Sequence, residues 1–194
     1  MKKKYFFIIV IITLIIFLFL SLTVLKKANK TDEPKYLDSG NRIDTYAKKF
    51  MPAIEDLPTS QAVSYQYNRA SIIIFETETL TLVVKYDEEI YKKEKEKLTE
   101  KYKFLDHKVI SDYDKEKYYI PEYQFSINNY KFKVADESDS YKAEYPKSFG
   151  MIGISDEEKS IAYLYFYDYD LDYIQSDEES PMAGFVKKYF KYDF

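Results

Sequence analysis

Residues 5–25 form a run of 21 positions without a single charge, interrupted only by the small polar groups of Thr13, Ser21 and Thr23. As an α-helix at 1.5 Å per residue the run is about 31 Å long. That matches a bilayer's hydrocarbon core of about 30 Å. Lys2, Lys3 and Lys4 stand before it, and Lys26 and Lys27 after it. The feature divides the chain in advance. Residues 1–27 read as a short tail and a membrane anchor, and whatever follows must fold on its own beyond the anchor.

A cleaved secretory signal is the rival reading. Signal peptides have an apolar core of about 7–15 residues and a small-x-small cleavage site. This run is longer, and residues 25–30 offer lysines where such a site would stand. A lipoprotein signal needs a cysteine, and the chain has none. An uncleaved anchor is therefore expected. Lys30, Asp32 and Glu33 follow the span closely, so the positive-inside bias is small by count. The opposite orientation would translocate a tail made mostly of lysine. The expected arrangement is single-pass, with the N-terminus cytoplasmic and the C-terminal part extracytoplasmic.

The charge is unevenly spread. Removing the six lysines at 2, 3, 4, 26, 27 and 30 from 29 basic residues leaves 23 against 33 acidic ones, or −10, whereas the whole chain carries −4. An acidic domain lacks the basic patch that nucleic acid requires, and it is poorly suited to lie flat on anionic lipid. Without cysteine there are no disulfides, no thiolate catalysis and no thiolate metal ligands. The domain must be held by its core, for which 22 tyrosines and 14 phenylalanines supply material.

Residues 28–40, polar and containing Pro34, Ser39 and Gly40, read as a linker, and 41–194 as one domain. Residues 41–51 pattern as a short helix capped by Asp44, with Ile43, Tyr46, Ala47 and Phe50 on one side, ended by Pro52. Residues 54–58 read as a turn. Three strands are expected next: Val63, Tyr65 and Tyr67 alternating with polar neighbours, the apolar run 72–75 as a central strand, and Leu80, Leu82, Val84 and Tyr86 alternating again. Asn68-Arg69-Ala70 and Thr77-Glu78 would be their links. Asp87 is a good N-cap for a helix over residues 87–105, with Tyr91, Leu98, Tyr102 and Leu105 as its apolar stripe. Its i,i+4 pairs Glu88–Lys92 and Glu89–Lys93 read as a solvated face.

Asn128-Asn129 predicts a type I′ hairpin turn. That register sets Ile127 opposite Tyr130, Phe125 opposite Phe132, and Tyr123 opposite Val134, all on one face. A second hairpin joins 149–154 to 160–169. Residues 177–192 read as a final helix with Ser176 as cap, burying Phe185, Val186, Tyr189 and Phe190. The sum is an α+β fold of about seven strands in a mainly antiparallel sheet and about three helices.

Signals of chemistry are sparse. His107, the one histidine, is expected near a helix C-terminus, where it suits the dipole. No Gly-x-Ser-x-Gly elbow and no glycine-rich phosphate loop occur. Asp168, Asp170, Asp172, Ile174, Ser176 and Glu179 stand at positions 1, 3, 5, 7, 9 and 12 of a calcium-loop spacing. Tyr173, however, replaces the glycine needed at position 6, and a strand precedes the row where a helix should. An acidic strand end is the plainer reading, and no cofactor is expected. Tyr163, Tyr165, Tyr167 and Tyr169 share a strand face, either as a stacking platform for envelope glycan or as core. Apolar Ala162, Leu164 and Phe166 opposite them favour a mid-sheet strand and burial.

The expectation is a membrane-tethered domain that binds a protein or cell-envelope ligand, and not an enzyme. The alternatives are an envelope-polymer hydrolase using paired carboxylates and an accessory subunit of a membrane complex.

Overall fold

The computed structural model describes Ile12 and residues 28–30, 45–72, 75–136, 145–177 and 179–194. Apart from Ile12, the anchor run lies outside the described residues, and among these no helix is long and apolar enough to cross a membrane. The elements are β1 (Ala28–Lys30), α1 (Thr45–Phe50), a 3-10 turn (Ile54–Asp56), β2 (Ala62–Ile72), β3 (Phe75–Lys85) and α2 (Glu88–Lys101). Then come β4 (Val109–Ile110), β5 (Tyr118–Ile120), β6 (Gln124–Ile127), β7 (Tyr130–Val134), β8 (Ser148–Ser155), β9 (Ser160–Asp168) and α3 (Pro181–Phe190). Among the described residues seven strands make one antiparallel sheet in the order β1-β2-β3-β9-β8-β7-β6, and β4 pairs with β5 apart from it. The class is α+β with a mainly antiparallel sheet.

β9 takes the centre of the sheet because both of its faces are apolar. Ile161, Tyr163 and Tyr165 pack with α1 and α2 on one side. Ala162, Leu164 and Phe166 pack with α3 on the other. Beside it, β8 carries two glycines where ring and backbone meet closely. A Cβ on Gly150 would enter the ring of Phe50 from α1, and a Cβ on Gly153 would enter the ring of Phe132.

The central-strand reading of residues 72–75 is corrected. The β2–β3 ladder runs from Ala62↔Lys85 to Ile72↔Phe75, so positions 72 and 75 belong to opposite strands. The supposed links lie inside the strands. Their polar residues have tertiary partners: Arg69 forms an ion pair with Glu76, Thr77 donates to Asp168 at 2.6 Å, and the Asn68 amide donates to the carbonyl of Phe190 at 2.6 Å. Ala28–Lys30, placed in the linker by composition, forms β1 against Arg69–Tyr67. A three-residue edge strand needs only backbone pairing and leaves no apolar pattern to read.

The other elements follow their local signals closely. Asp87 caps α2, accepting from the Ile90 amide at 2.9 Å. Glu88–Lys92 and Glu89–Lys93 close at 3.0 and 2.8 Å. The helix stops at Lys101, earlier than its stripe suggested, because Tyr102 turns extended. Its hydroxyl then donates to the Phe50 carbonyl at the end of α1, at 2.8 Å. His107 consequently lies in a bend, six residues past that end, exposed and 2.5 Å from Asp106. The helix-dipole role does not hold.

The β6–β7 register is Phe125↔Phe132 and Ile127↔Tyr130, with the Val134 amide bonded to Tyr123. Of the two turn residues only Asn128 has positive φ, at 48°. That places the positive angle at the first central position alone, unlike type I′. α3 starts at Pro181, not at 177, and Ser176 is not its cap. Proline's fixed φ suits the first helical position. Glu122 reaches across from before β6 to accept from Ser180 Oγ and the Met182 amide, both at 3.0 Å.

Candidate functional site

α1 and α2 cover the β2–β3–β9–β8 part of one sheet face, and among the described residues no helix covers β7 and β6 there. Alternation sends Phe132 and Val134 to the α3 side and Lys131 and Lys133 to the bare side. Between α2 and these lysines runs a groove of about 570 Å³, within the size range of small-ligand sites. Leu98, Phe104, Ile152 and Ile154 give it an apolar floor, and Lys95, Thr99, Gln124, Ser126, Lys131, Lys133 and Asp156 a polar rim. Asp156, its sole carboxylate among the described residues, is already engaged. Lys95 donates to it at 2.5 Å and the Tyr91 hydroxyl at 2.6 Å. These bonds hold its carboxyl below the usual carboxylate range. Lys133 lies 5.7 Å over the Phe104 ring. Neither it nor Lys131 forms an ion pair among the described residues, although the domain carries an excess of acid. Among the described residues the groove therefore offers two ammonium groups without a carboxylate partner above an apolar floor, which suits an anionic group on a partly apolar body.

Glu78 has the most strongly perturbed carboxyl outside the groove. It is 5% exposed and accepts from the Tyr67 hydroxyl at 2.7 Å, with Arg69 at 3.6 Å. Burial pushes its carboxyl up to about 7; the Tyr67 hydrogen bond works against that rise, and the Glu76 charge adds to it. A raised carboxyl is what a general acid needs, but Glu78 lines none of the concavities described here.

The expected site residues fall elsewhere. Tyr163 and Tyr165 are 4% and 2% exposed. Tyr163 packs with Tyr102, and Tyr165 with Phe50. Tyr167 is half-buried, and Tyr169, past the end of β9, is 55% exposed. The acidic row does not converge. Asp168 turns inward to Thr77 and accepts the Asp170 amide at 2.8 Å, while Asp170, Asp172 and Glu179 are exposed. Among the described residues no three acidic or histidine side chains gather to hold a metal ion.

A second concavity, about 780 Å³, lies between the β4–β5 hairpin and residues 145–147 and 171–173. Ile110, Tyr113 and Tyr173 line it and are 46%, 96% and 37% exposed. Lys117 sits 4.4 Å over Tyr173, and Lys147 5.8 Å over Tyr169. Sequence reading assigned no element to residues 109–120 and so missed this hairpin. Lys131 and Lys133 were legible as outward positions of a predicted hairpin, but no local signal announces a helix lying beside them. No family model matches the chain, and no curated protein or solved structure matches it.

Proposed function

We propose that this chain is a single-pass, membrane-tethered extracytoplasmic domain that binds a cell-envelope ligand in the groove between α2 and β7. The uncharged run at residues 5–25 and its lysine flanks support the tether, and the lysine-rich tail supports a cytoplasmic N-terminus. Lys131 and Lys133, which form no ion pair among the described residues and stand above an apolar floor, carry the ligand reading. Inside an acidic domain they favour a polymer bearing phosphate or carboxylate over a basic protein surface. The role is binding, not turnover. Among the described residues the groove supplies one carboxylate, already salt-bridged, and hydrolysis by paired acids needs two with separated pKa values.

Two experiments test this reading. Titration of the full chain in non-ionic detergent with poly(glycerol phosphate) should show saturable, salt-sensitive binding, abolished in a Lys131→Glu, Lys133→Glu double variant. Equal affinity in that variant would remove the groove from the proposal. For topology, a C-terminal alkaline phosphatase fusion should be active in cells. An inactive fusion alongside a working cytoplasmic reporter would reverse the orientation.

A further inference from the structure

We propose that the tyrosine-bearing end of the sheet, carrying Tyr169, Tyr113 and Tyr173, rests in the headgroup interface of the bilayer that the tether enters. This rests on the reading of residues 5–25 as a span.

The ladder fixes which end faces the tether. Ala28 of β1 is opposite Arg69, which is opposite Glu78, which is opposite Tyr167. β1 points its N-terminal end toward the next rows, those of Thr77↔Asp168 and of Glu76, whose carbonyl accepts the Tyr169 amide at 3.1 Å. Tyr169 thus stands two rows beyond Ala28, on the side of the N-terminal end of β1. Leu25, the last residue of the apolar run, precedes Ala28 by three residues, a reach of at most about 11 Å. Laterally, β9 is three strands from β1, about 14 Å. A span ending at Leu25 therefore sets Tyr169 close to the membrane surface. Lys147 belongs to this end too, since its carbonyl accepts the Asp168 amide at 2.7 Å. The concavity that Lys147 lines joins Tyr113 and Tyr173 to the same end.

The chemistry of this end suits the interface. Ile110, Tyr113, Tyr169 and Tyr173 are the exposed large hydrophobic residues described on the folded domain, and all four gather here. The turn at the far end of β8 and β9, residues 156–159, has none. Tyrosine rings are amphipathic and favour the headgroup level. Lys147 and Lys117 lie over Tyr169 and Tyr173, and long lysine stems accompany such rings while keeping the ammonium in water. Asp112, Asp170 and Asp172 share this end and oppose attraction to anionic lipid. The contact therefore draws on the aromatic rings and not on charge, and it should persist at high salt.

The absence of cysteine makes the test clean. Single Tyr113→Cys, Tyr169→Cys and Glu157→Cys variants of the full chain are labelled with an environment-sensitive fluorophore. They are then reconstituted in phosphatidylcholine vesicles containing a headgroup-level nitroxide lipid. Quenching at positions 113 and 169 should be several-fold stronger than at 157, and equal at low and high salt. Weak quenching at all three positions in carbonate-resistant protein would overturn the docking and leave the tether standing. Extraction of the chain by carbonate would overturn both. A label at 113 that escapes lipid quenching but crosslinks to another protein in cells would assign this end to a protein partner and overturn the proposal. Should Tyr169→Cys misfold, position 113, at 96% exposure, carries the comparison alone.

Discussion

Glu78 ties the stability of the domain to pH. Its carboxyl titrates at about 7 when folded, against an ordinary 4.5. The folded state therefore holds more protons than the unfolded chain between those values. The stability that the protonated group contributes is fully present below pH 4.5 and is lost as pH rises through 7. Glu78→Gln keeps the shape and an acceptor for Tyr67 but does not ionise. It should melt higher than the parent chain at pH 8, by up to about 3 kcal/mol at about 1.4 kcal/mol per pKa unit, and converge with it near pH 4.5. Melting curves that stay parallel across that window would show that the Glu78 carboxyl ionises in the folded state as readily as in the unfolded chain. Phe132, 1% exposed and 5.3 Å from the stacked ring of Phe125, should cost about 3–5 kcal/mol on replacement by alanine. Gly153→Ala should cost about 1–3 kcal/mol by overpacking the same ring. Because the new methyl would occupy space that the ring vacates, the double variant should be less destabilised than the two singles combined. Strict additivity in chemical denaturation would contradict that packing.

Whole elements are held at their ends by side chains from elsewhere. The last carbonyls of α3 lack helical partners. Asn68 and Gln66 of β2 donate to the Phe190 carbonyl at 2.6 and 3.0 Å. Lys191, at φ 53°, ends the helix in the left-handed region. At the other end Glu122 supplies the negative charge that the first turn lacks. Asn68→Leu should therefore destabilise the domain by about 1–3 kcal/mol, the cost of a buried group left without its partner. Hydrogen exchange should show the loss first in the last turn of α3. Protection lost uniformly over β2 and β3 instead would mean that Asn68 serves the sheet, not the helix.

At the scale of the molecule, the two cores on either side of the sheet give the domain what it needs to stand without disulfides. A fragment of residues 28–194 should be soluble, folded and monomeric by size-exclusion chromatography. A fragment of residues 31–194 lacks β1 and exposes the edge of β2 along residues 67–69. Unpaired edges invite pairing with other chains, so the shorter fragment should associate more as concentration rises. Identical elution of the two would show that β1 does not guard that edge.

Whatever depends on neighbours along the chain is legible in the order of residues alone. The Asp87 cap and its i,i+4 ion pairs are local contacts, and the Asn128 turn fixed the Phe125–Phe132 register because a two-residue connection leaves only one alignment. The doubly apolar run at 161–166 marked β9 for the middle of the sheet, since a strand covered on both faces needs no polar side. Whatever depends on distant partners becomes visible only once the chain is folded. Asn68-Arg69-Ala70 reads as a turn until α3 and Glu76 supply the groups its polar side chains bond. Tyr163 and Tyr165 share a face in any strand, but only α1 and Tyr102 make that face core. Lys131 and Lys133 point outward by alternation alone. That they border a groove follows from where α2 comes to rest, and that packing is set by residues 30 and more positions away in the chain.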